Sequence, residues 1–466
     1  MLKKLDTDDA LQRTADGLLP EFDLIKDVVH RVSQHGLYAK KLKDLPLNSW
    51  EDFFSLPLTT KADLRGCNPE DTLAVPKSRI WHYHESFGTT GKPISSWYTK
   101  EDYEREADMT SRWTESIRPG MHVLNRFPYS FAVPPFILEV KCSRDGGAVL
   151  PAGYLSWNMP YPRVLEIIRR IKVEAIGCFP TEMVMLEMIA DKCGYDIKKD
   201  FKSLKYILTS GRIVTPALKN YIEERWNVSL SSVYGSTEGG GVASSCTAGN
   251  LHVHHDAHII EILNPDNWQP VEKGQTGVLV LTSYYRQGAP LIRYLTNDYC
   301  RMIDRECPCG GSEPVIQVLG RKEDNIEFAG RKVFFYDLEQ AVLDFSAQFN
   351  SAVYFIIVTK KRLNIRIETH NRKKAPSENS LSELKERIGM PLKVDICGKR
   401  ELFDPGFLLR APEVYKPRSF SDWRVDDRRP VSLTEGLIKW PRVSLSECAD
   451  MVQRSLKNAL LRRTIQ

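Results

Sequence analysis

The sequence predicts an α/β protein: a large N-terminal multi-layer α/β domain with a β-rich subdomain, followed by a small C-terminal α+β domain. Three observations predict it. Strand-like and helix-like segments alternate between residues 161 and 236, the pattern of a parallel, layered sheet. The texture turns β-rich from Val278. Residues 350–400 then read strand, strand, helix, strand, which suits a small domain of roughly 100 residues.

Residues 20–110 read as short helices broken by turn signals. Leu165, Ile168 and Ile171 recur at helical spacing, and a strand follows at 175–179. Pro180-Thr181-Glu182 opens a helix carrying Met183, Leu186, Met188 and Ile189. A strand at 206–209 ends in Ser210-Gly211, a helix covers 216–225, and a strand at 228–233 ends in Tyr234-Gly235-Ser236. Ligands of such sheets sit at the strand carboxyl ends, where both turns fall. Further strands are expected at 278–282 and 291–294, with a boundary near Gly320-Arg321. Beyond it come strands at 352–358 and 363–368, a helix at 381–388 and a strand at 392–396. The expected division is thus 1–320, 321–428 and a basic extension, 429–466, with an amphipathic stretch near 445–463 and no assigned role.

A chain of 466 residues exceeds one compact core. Its 42% hydrophobic and 27% charged residues are an ordinary soluble balance. A net charge of +5, without a concentrated basic stripe, points away from nucleic acid. The first residues, Met1 to Asp6, carry no apolar signal core. No apolar run approaches the ~20 residues that span a bilayer, so the expected compartment is the cytoplasm, with no membrane partner. The ten cysteines are scattered. In a reducing compartment the pair Cys307-Pro308-Cys309 reads as a metal site or as nothing.

Four segments carry chemistry. In Ser86-Phe87-Gly88-Thr89-Thr90-Gly91-Lys92-Pro93, glycines allow close backbone approach to a polyanion, while hydroxyls, N–H groups and the lysine cradle phosphates. The Walker spacing is absent. In Tyr234-Gly235-Ser236-Thr237-Glu238, the aromatic can stack on a base and the carboxylate can hold Mg²⁺; an ordinary turn with a solvated Glu is the alternative. Asp298, in Arg293-Tyr294-Leu295-Thr296-Asn297-Asp298, can accept two ribose hydroxyls after a strand. Gly320-Arg321-Lys322-Glu323-Asp324-Asn325-Ile326 is a charged hinge.

In this order and at these separations the four segments resemble the adenylate-forming superfamily of acyl-CoA ligases, in its phenylacetate–CoA ligase-like branch. Pro57-Leu58-Thr59-Thr60-Lys61-Ala62-Asp63-Leu64-Arg65 resembles that branch's segment upstream of the phosphate loop, and the likeness runs from about 50 to about 425. The resemblance implies ATP-dependent activation of a small carboxylic acid as acyl-AMP. Ser86, Gly88, Thr89, Thr90, Gly91 and Lys92 would hold the β- and γ-phosphates, and Ser210 and Gly211 would border adenine. Tyr234, with Gly235 and Ser236, would lie against adenine, Thr237 would touch the α-phosphate and Glu238 would bind Mg²⁺. Asp298 would hold the ribose, helped by Arg321. Lys416, six residues before Asp422, would be the catalytic lysine, and the small domain would be mobile about Glu323. The branch more often carries an acid where this chain has Arg212, a small residue where it has Phe87 and a glycine where it has Tyr415.

The acid pocket would fall between Phe127–Phe136, Cys178-Phe179 and Val233, with Tyr129, Phe131 and Phe179 as pocket residues. Phe127, Tyr129, Phe131 and Phe136 suggest an aromatic wall that favours an aryl or other flat acid, and ordinary core is the alternative for at least two of them. The branch also implies structural Zn²⁺ on Cys246, His252, Cys307 and Cys309, with His254, His255 and Cys300 as spare candidates. CoA is the expected acceptor. A carrier-protein thiol, an amine or an inorganic nitrogen nucleophile is the alternative, and a non-catalytic nucleotide-binding scaffold the reading from another class. A homodimer is compatible with a chain whose sequence sets no oligomeric state.

Overall fold

The computed structural model describes residues 14, 17–86, 92–112, 117–154, 156, 158–328, 330–369, 375–403, 419–424 and 432–433. The phosphate-loop residues Phe87, Gly88, Thr89, Thr90 and Gly91, the expected catalytic Lys416, Tyr415 and the 445–463 stretch lie outside them.

Four short helices, Phe22–Val32, Gly36–Leu42, Trp50–Ser55 and Lys61–Gly66, open the described chain. Ile25, Val28, Val29 and Val32 recur at the spacing of one helix face and pack with Phe53, Phe54 and Ile292. The next segment differs from the helical expectation. Strands β1 (Ile80–Glu85) and β2 (Ser95–Thr99) form an antiparallel hairpin that brackets the Gly/Thr loop. The long helix Lys100–Ser111 follows, started by a capping box between Thr99 and Asp102.

The centre is one eleven-stranded sheet. Its parallel half comprises β3 (His122–Asn125), β4 (Ala148–Pro151), β5 (Ala175–Cys178), β6 (Tyr206–Ser210) and β7 (Ser229–Ser236). Helices Pro134–Asp145, Tyr161–Ile171, Pro180–Lys192 and Pro216–Trp226 make the crossovers. All of β5 is buried, as expected of a strand covered on both faces. The antiparallel half adds β8 (Gly240–Ser245), β9 (Leu251–Val253), β10 (His258–Leu263), β11 (Gly277–Ser283), β12 (Tyr294–Met302) and β13 (Val315–Arg321), in the order β10-β11-β12-β13-β9-β8 beside β7.

One expected turn proves to be strand, and one expected strand starts later. Tyr234 and Gly235 stay in β7 because β8 pairs with them, Tyr234 opposite Ala243. The 291–294 strand starts only at Tyr294, because Arg293 has a positive φ of 44°; Asp298 therefore lies within β12 rather than after a strand.

The hairpin of β14 (Ile326–Phe328) and β15 (Arg331–Val333) leads to a four-stranded sheet, β18-β17-β16-β19, with helices Phe335–Ala347 and Glu378–Ile388. Its strands are β16 (Tyr354–Val358), β17 (Leu363–Glu368), β18 (Leu392–Cys397) and β19 (Phe420–Asp422). Helix Phe335–Ala347 and β19 carry no expectation above. Leu338 and Val342 share one apolar cluster with Ile222 and Trp226, so the C-terminal elements are packed onto the large sheet's helices. Among the described residues no helix is long and apolar enough to cross a membrane.

Candidate active site

A cavity of about 750 Å³ opens at the carboxyl ends of β5, β6 and β7, where Phe179, Ser210, Gly211 and Tyr234 meet Asp298 and Arg321 from β12 and β13. The register of the antiparallel half puts Asp298 opposite Arg321, with Nε 3.8 Å from Oδ1. Tyr234 donates its hydroxyl to Asp298 Oδ2 at 2.6 Å. Burial pushes the Asp298 carboxyl up, while Arg321 and the Tyr234 hydrogen bond oppose that shift. A carboxylate so aimed has lone pairs left for two sugar hydroxyls.

Glu238 is buried and accepts from the Tyr294 hydroxyl at 2.7 Å. The turn before it is fixed twice. Tyr98 donates to the Thr237 carbonyl at 3.1 Å, and Ser236 Oγ accepts from the Gly239 N–H at 3.0 Å. Gly235 must be glycine: an added Cβ would stand 2.2 Å from the Gly240 carbonyl oxygen. Thr237, Glu238, Gly235 and Ser236 all line the cavity.

At the base of the Gly/Thr loop, Ser86 N–H donates to the Ile94 carbonyl at 2.9 Å, and Ser86 Oγ accepts from Ile94 N–H at 2.8 Å. Ser86 thus clasps the loop shut and lines the cavity, its O–H still able to donate. Lys92 is exposed and stands apart from the described lining.

The aromatic wall is placed differently from the expectation. Phe127 and Phe179 line the cavity, with ring centroids 6.0 Å apart. Tyr129 does not; its hydroxyl donates to Glu139 at 2.6 Å. Phe131 is 55% exposed and also away from the lining. Its backbone has a φ of 56°, and aromatic content alone could not reveal which way the side chain faces. Phe136 packs against His82 and His84 instead.

Lys61 and Arg65, to which no expectation above gives a site role, also line the cavity. They sit four residues apart on one face of helix Lys61–Gly66. Thr59 pins that helix to the strand bearing Asp298, bonding to Arg293 and Leu295 through its backbone and to the Ile292 carbonyl through its hydroxyl. The Thr-Thr-Lys-Ala-Asp-Leu-Arg pattern was the available signal.

A second cluster sits where β8 ends, in β9 and in the 303–314 loop. The ligand atoms of Cys246, His252, Cys307 and Cys309 all lie within 4.8 Å of one another. Sγ of Cys246 is 3.6 Å from Sγ of Cys307, and Sγ of Cys309 is 3.3 Å from His252 Nε2. A tetrahedral ion with bonds of about 2.3 Å to sulfur and 2.0 Å to nitrogen sets such separations at roughly 3.5–3.8 Å. His252 Nδ1 lies 3.0 Å from the Glu313 carbonyl, which fixes the tautomer that frees Nε2. The Cys246–Cys307 separation matches that range and the Cys309–His252 separation is slightly shorter, so the four ligand atoms are compatible with a metal site. His254 and Cys300 are elsewhere: His254 bonds Gly241 and Ser244, and Cys300 is buried in the sheet core. His255 is outside the cluster as well.

Comparison with known proteins places these features in context. The AMP-binding enzyme family matches residues 88–285. The phenylacetate-coenzyme A ligase of Thermus thermophilus is 30% identical over 300 residues, 63% of this chain and 66% of that enzyme. The Pseudomonas putida phenylacetate-coenzyme A ligase is 29% identical, over 72% of this chain and 74% of that one. A crystal structure of 2-hydroxyisobutyryl-CoA ligase in the postadenylation state shares the fold at TM-score 0.70 and 21% identity, covering 90% of this chain and 94% of that one. The chain belongs to the adenylate-forming, AMP-binding enzyme superfamily, in its phenylacetate–CoA ligase-like branch.

Proposed function

We propose that the protein activates a small, aryl carboxylic acid with ATP as acyl-AMP, releasing pyrophosphate, and then passes the acyl group to CoA. The carrying observation is the convergence of Tyr234, Asp298, Arg321, Thr237 and Glu238 on one cavity that continues to Phe127 and Phe179. The family assignment supports it.

The carboxylate of the acid attacks the α-phosphorus as the bond to pyrophosphate breaks, so positioning and charge stabilisation are what the protein contributes. Asp298 orients the ribose, and Tyr234 both holds Asp298 and walls the adenine side. Thr237, which lines the cavity, would hold an α-phosphate oxygen. Tyr294 keeps the Glu238 carboxylate aimed into the cavity. Mg²⁺ held by Glu238 would supply positive charge to the phosphates. The Gly/Thr loop with Lys92, and Lys416, complete the expected machinery. The thiol of CoA then attacks the acyl carbon, and AMP leaves. The small C-terminal domain, 321–428, would move between the steps.

Cys246, His252, Cys307 and Cys309 would hold Zn²⁺ in a closed structural site, and their neighbours Ser245, Asn250 and Leu251 line the same cavity. The nine free cysteines among the described residues support the cytoplasm as compartment. AMP formation assayed with phenylacetate and related aryl acids tests the reading. AMP release that needs both acid and CoA is expected. Release that needs a carrier protein or an amine instead would move the acceptor, and absent acid-dependent pyrophosphate exchange would refute activation itself.

A further inference from the structure

Arg212 follows Gly211 at the end of β6 and lines the nucleotide cavity. Its side chain does not stay within the large sheet. The guanidinium pairs with Glu339 of helix Phe335–Ala347, and its Nη2 lies 3.2 Å from the Tyr354 hydroxyl of β16 and 3.3 Å from Ser419 Oγ, one residue before β19. Those three partners also bind one another: Tyr354 donates to the same Glu339 oxygen, and Ser419 donates to Tyr354 at 3.2 Å. Phe335 lies against the guanidinium, 5.7 Å from ring centroid to Cζ.

Three features separate this contact from a surface ion pair. It is buried, with Glu339 fully covered and the Arg212 side chain 19% exposed. It is the one cation paired with Glu339 among the described residues, and the second Glu339 oxygen is buried without a hydrogen-bond partner there. Parting the two sides therefore strands a carboxylate or obliges it to be hydrated. The contact also joins three separate C-terminal elements to a single residue at the cavity rim. Buried pairs of this kind add little net stability but set register strongly, since a shifted arrangement leaves a charge unmatched. Ser419 is three residues along the chain from Lys416, so an anchor there tethers the segment carrying the expected lysine.

We infer that Arg212 is a positioning residue: through Glu339, Tyr354 and Ser419 it docks the C-terminal unit against the nucleotide cavity for adenylate formation, and the contact opens before acyl transfer. The inference rests on the proposed activation of an acid. It also accounts for the basic side chain at a position where the branch more often has an acid: here the acid is supplied from the other side of the seam, by Glu339.

The test separates the half-reactions in Arg212→Ala, Arg212→Lys and the reciprocal Arg212→Glu/Glu339→Arg double variant. Phenylacetate-dependent pyrophosphate exchange should fall at least about tenfold in Arg212→Ala, through kcat more than the KM for ATP. Transfer from synthetic phenylacetyl-AMP to CoA should change by less than about threefold. The double variant should regain most of the lost exchange. Trypsin cleavage between residues 322 and 334 should be faster in Arg212→Ala than in the unaltered protein, whether or not any substrate is present. Unchanged exchange in Arg212→Ala, or a parallel loss of both half-reactions in Arg212→Ala and Arg212→Lys, overturns the inference. No exchange by the unaltered protein refutes the activation reading instead; unchanged trypsin sensitivity would then sink the docking claim independently.

Discussion

Asp298 is held from two directions, by the Tyr234 hydroxyl at 2.6 Å and by Arg321 across the β12–β13 register. Charge-assisted hydrogen bonds contribute about 1.5–3 kcal/mol each. Asp298→Ala should therefore raise the KM for ATP by about 10- to 100-fold in pyrophosphate exchange. Tyr234→Phe, which removes only the supporting hydroxyl, should raise it by about fivefold at an ordinary ~1 kcal/mol. An equal effect of both would remove the ribose role of Asp298. Asp298 and Tyr234 were legible in the sequence as a carboxylate near a strand and an aromatic before Gly-Ser-Thr-Glu, whereas the pairing of Asp298 with Arg321 appears only in the β12–β13 register. The partner of Glu238 was not legible. Tyr294 lies 56 residues away, and only sheet pairing together with the Thr59 link brings it near. Facing was equally hidden: Phe127 and Phe131 are alike in sequence, yet one lines the cavity and the other is exposed.

The β7–β8 hairpin and the Cys/His cluster each depend on a few local contacts. In Gly235→Ala the new Cβ meets the Gly240 carbonyl oxygen at 2.2 Å, a backbone atom that cannot swing aside. Overpacking of this kind costs about 1–3 kcal/mol or more, and here it displaces Ser236 to Glu238 as well. Both a lower Tm and lost exchange are expected; a Tm loss with normal exchange would show that the hairpin tolerates the shift. The Cys/His cluster brings together the end of β8, β9 and the loop before β13. Purified protein should carry about one zinc per chain, and Cys307→Ser should lose it and lower Tm by about 5 °C or more. Zinc near zero in the unaltered protein, prepared without chelator, would leave only four neighbouring free ligands. The alternating segments that build this part of the sheet were readable from period alone: 175–179, 206–209 and 216–225 correspond to β5, β6 and helix Pro216–Trp226. The β1–β2 hairpin was not readable. Its His82, His84, Tyr98 and Ser96 face a polar interior around Tyr103 and Arg286, so it lacks an apolar alternation.

Across the whole molecule, the change to a four-stranded C-terminal sheet could be read from residues 350–400, whereas its seam with the large sheet could not. That seam is made by Arg212, Ala217 and the helix bearing Glu339 and Gln340, contacts between segments more than a hundred residues apart. The interior of the large domain holds three histidines that oppose protonation. Burial pulls His84 and His254 down to about 4 and His258 to about 3. His254 and His258 are both within hydrogen-bond distance of the Gly241 carbonyl, just beyond Glu238. In the unfolded chain each imidazole takes a proton near pH 6.5; in the folded protein each stays neutral to a much lower pH. The unfolded state therefore binds more protons as pH falls below about 6.5, and the stability present above that pH declines towards about pH 4. The slope is up to about 1.4 kcal/mol per pH unit for each histidine. Glu106, whose carboxyl burial pushes up, acts with the opposite sign, so the informative quantity is a difference between variants. His254→Asn/His258→Gln keeps side-chain amides near the Gly241 carbonyl and removes both titrations. Urea unfolding from pH 7 to pH 5 should show a fall in the unaltered protein that is shallower in the double variant. Parallel profiles would show that these two imidazoles do not set the acid limit of the fold.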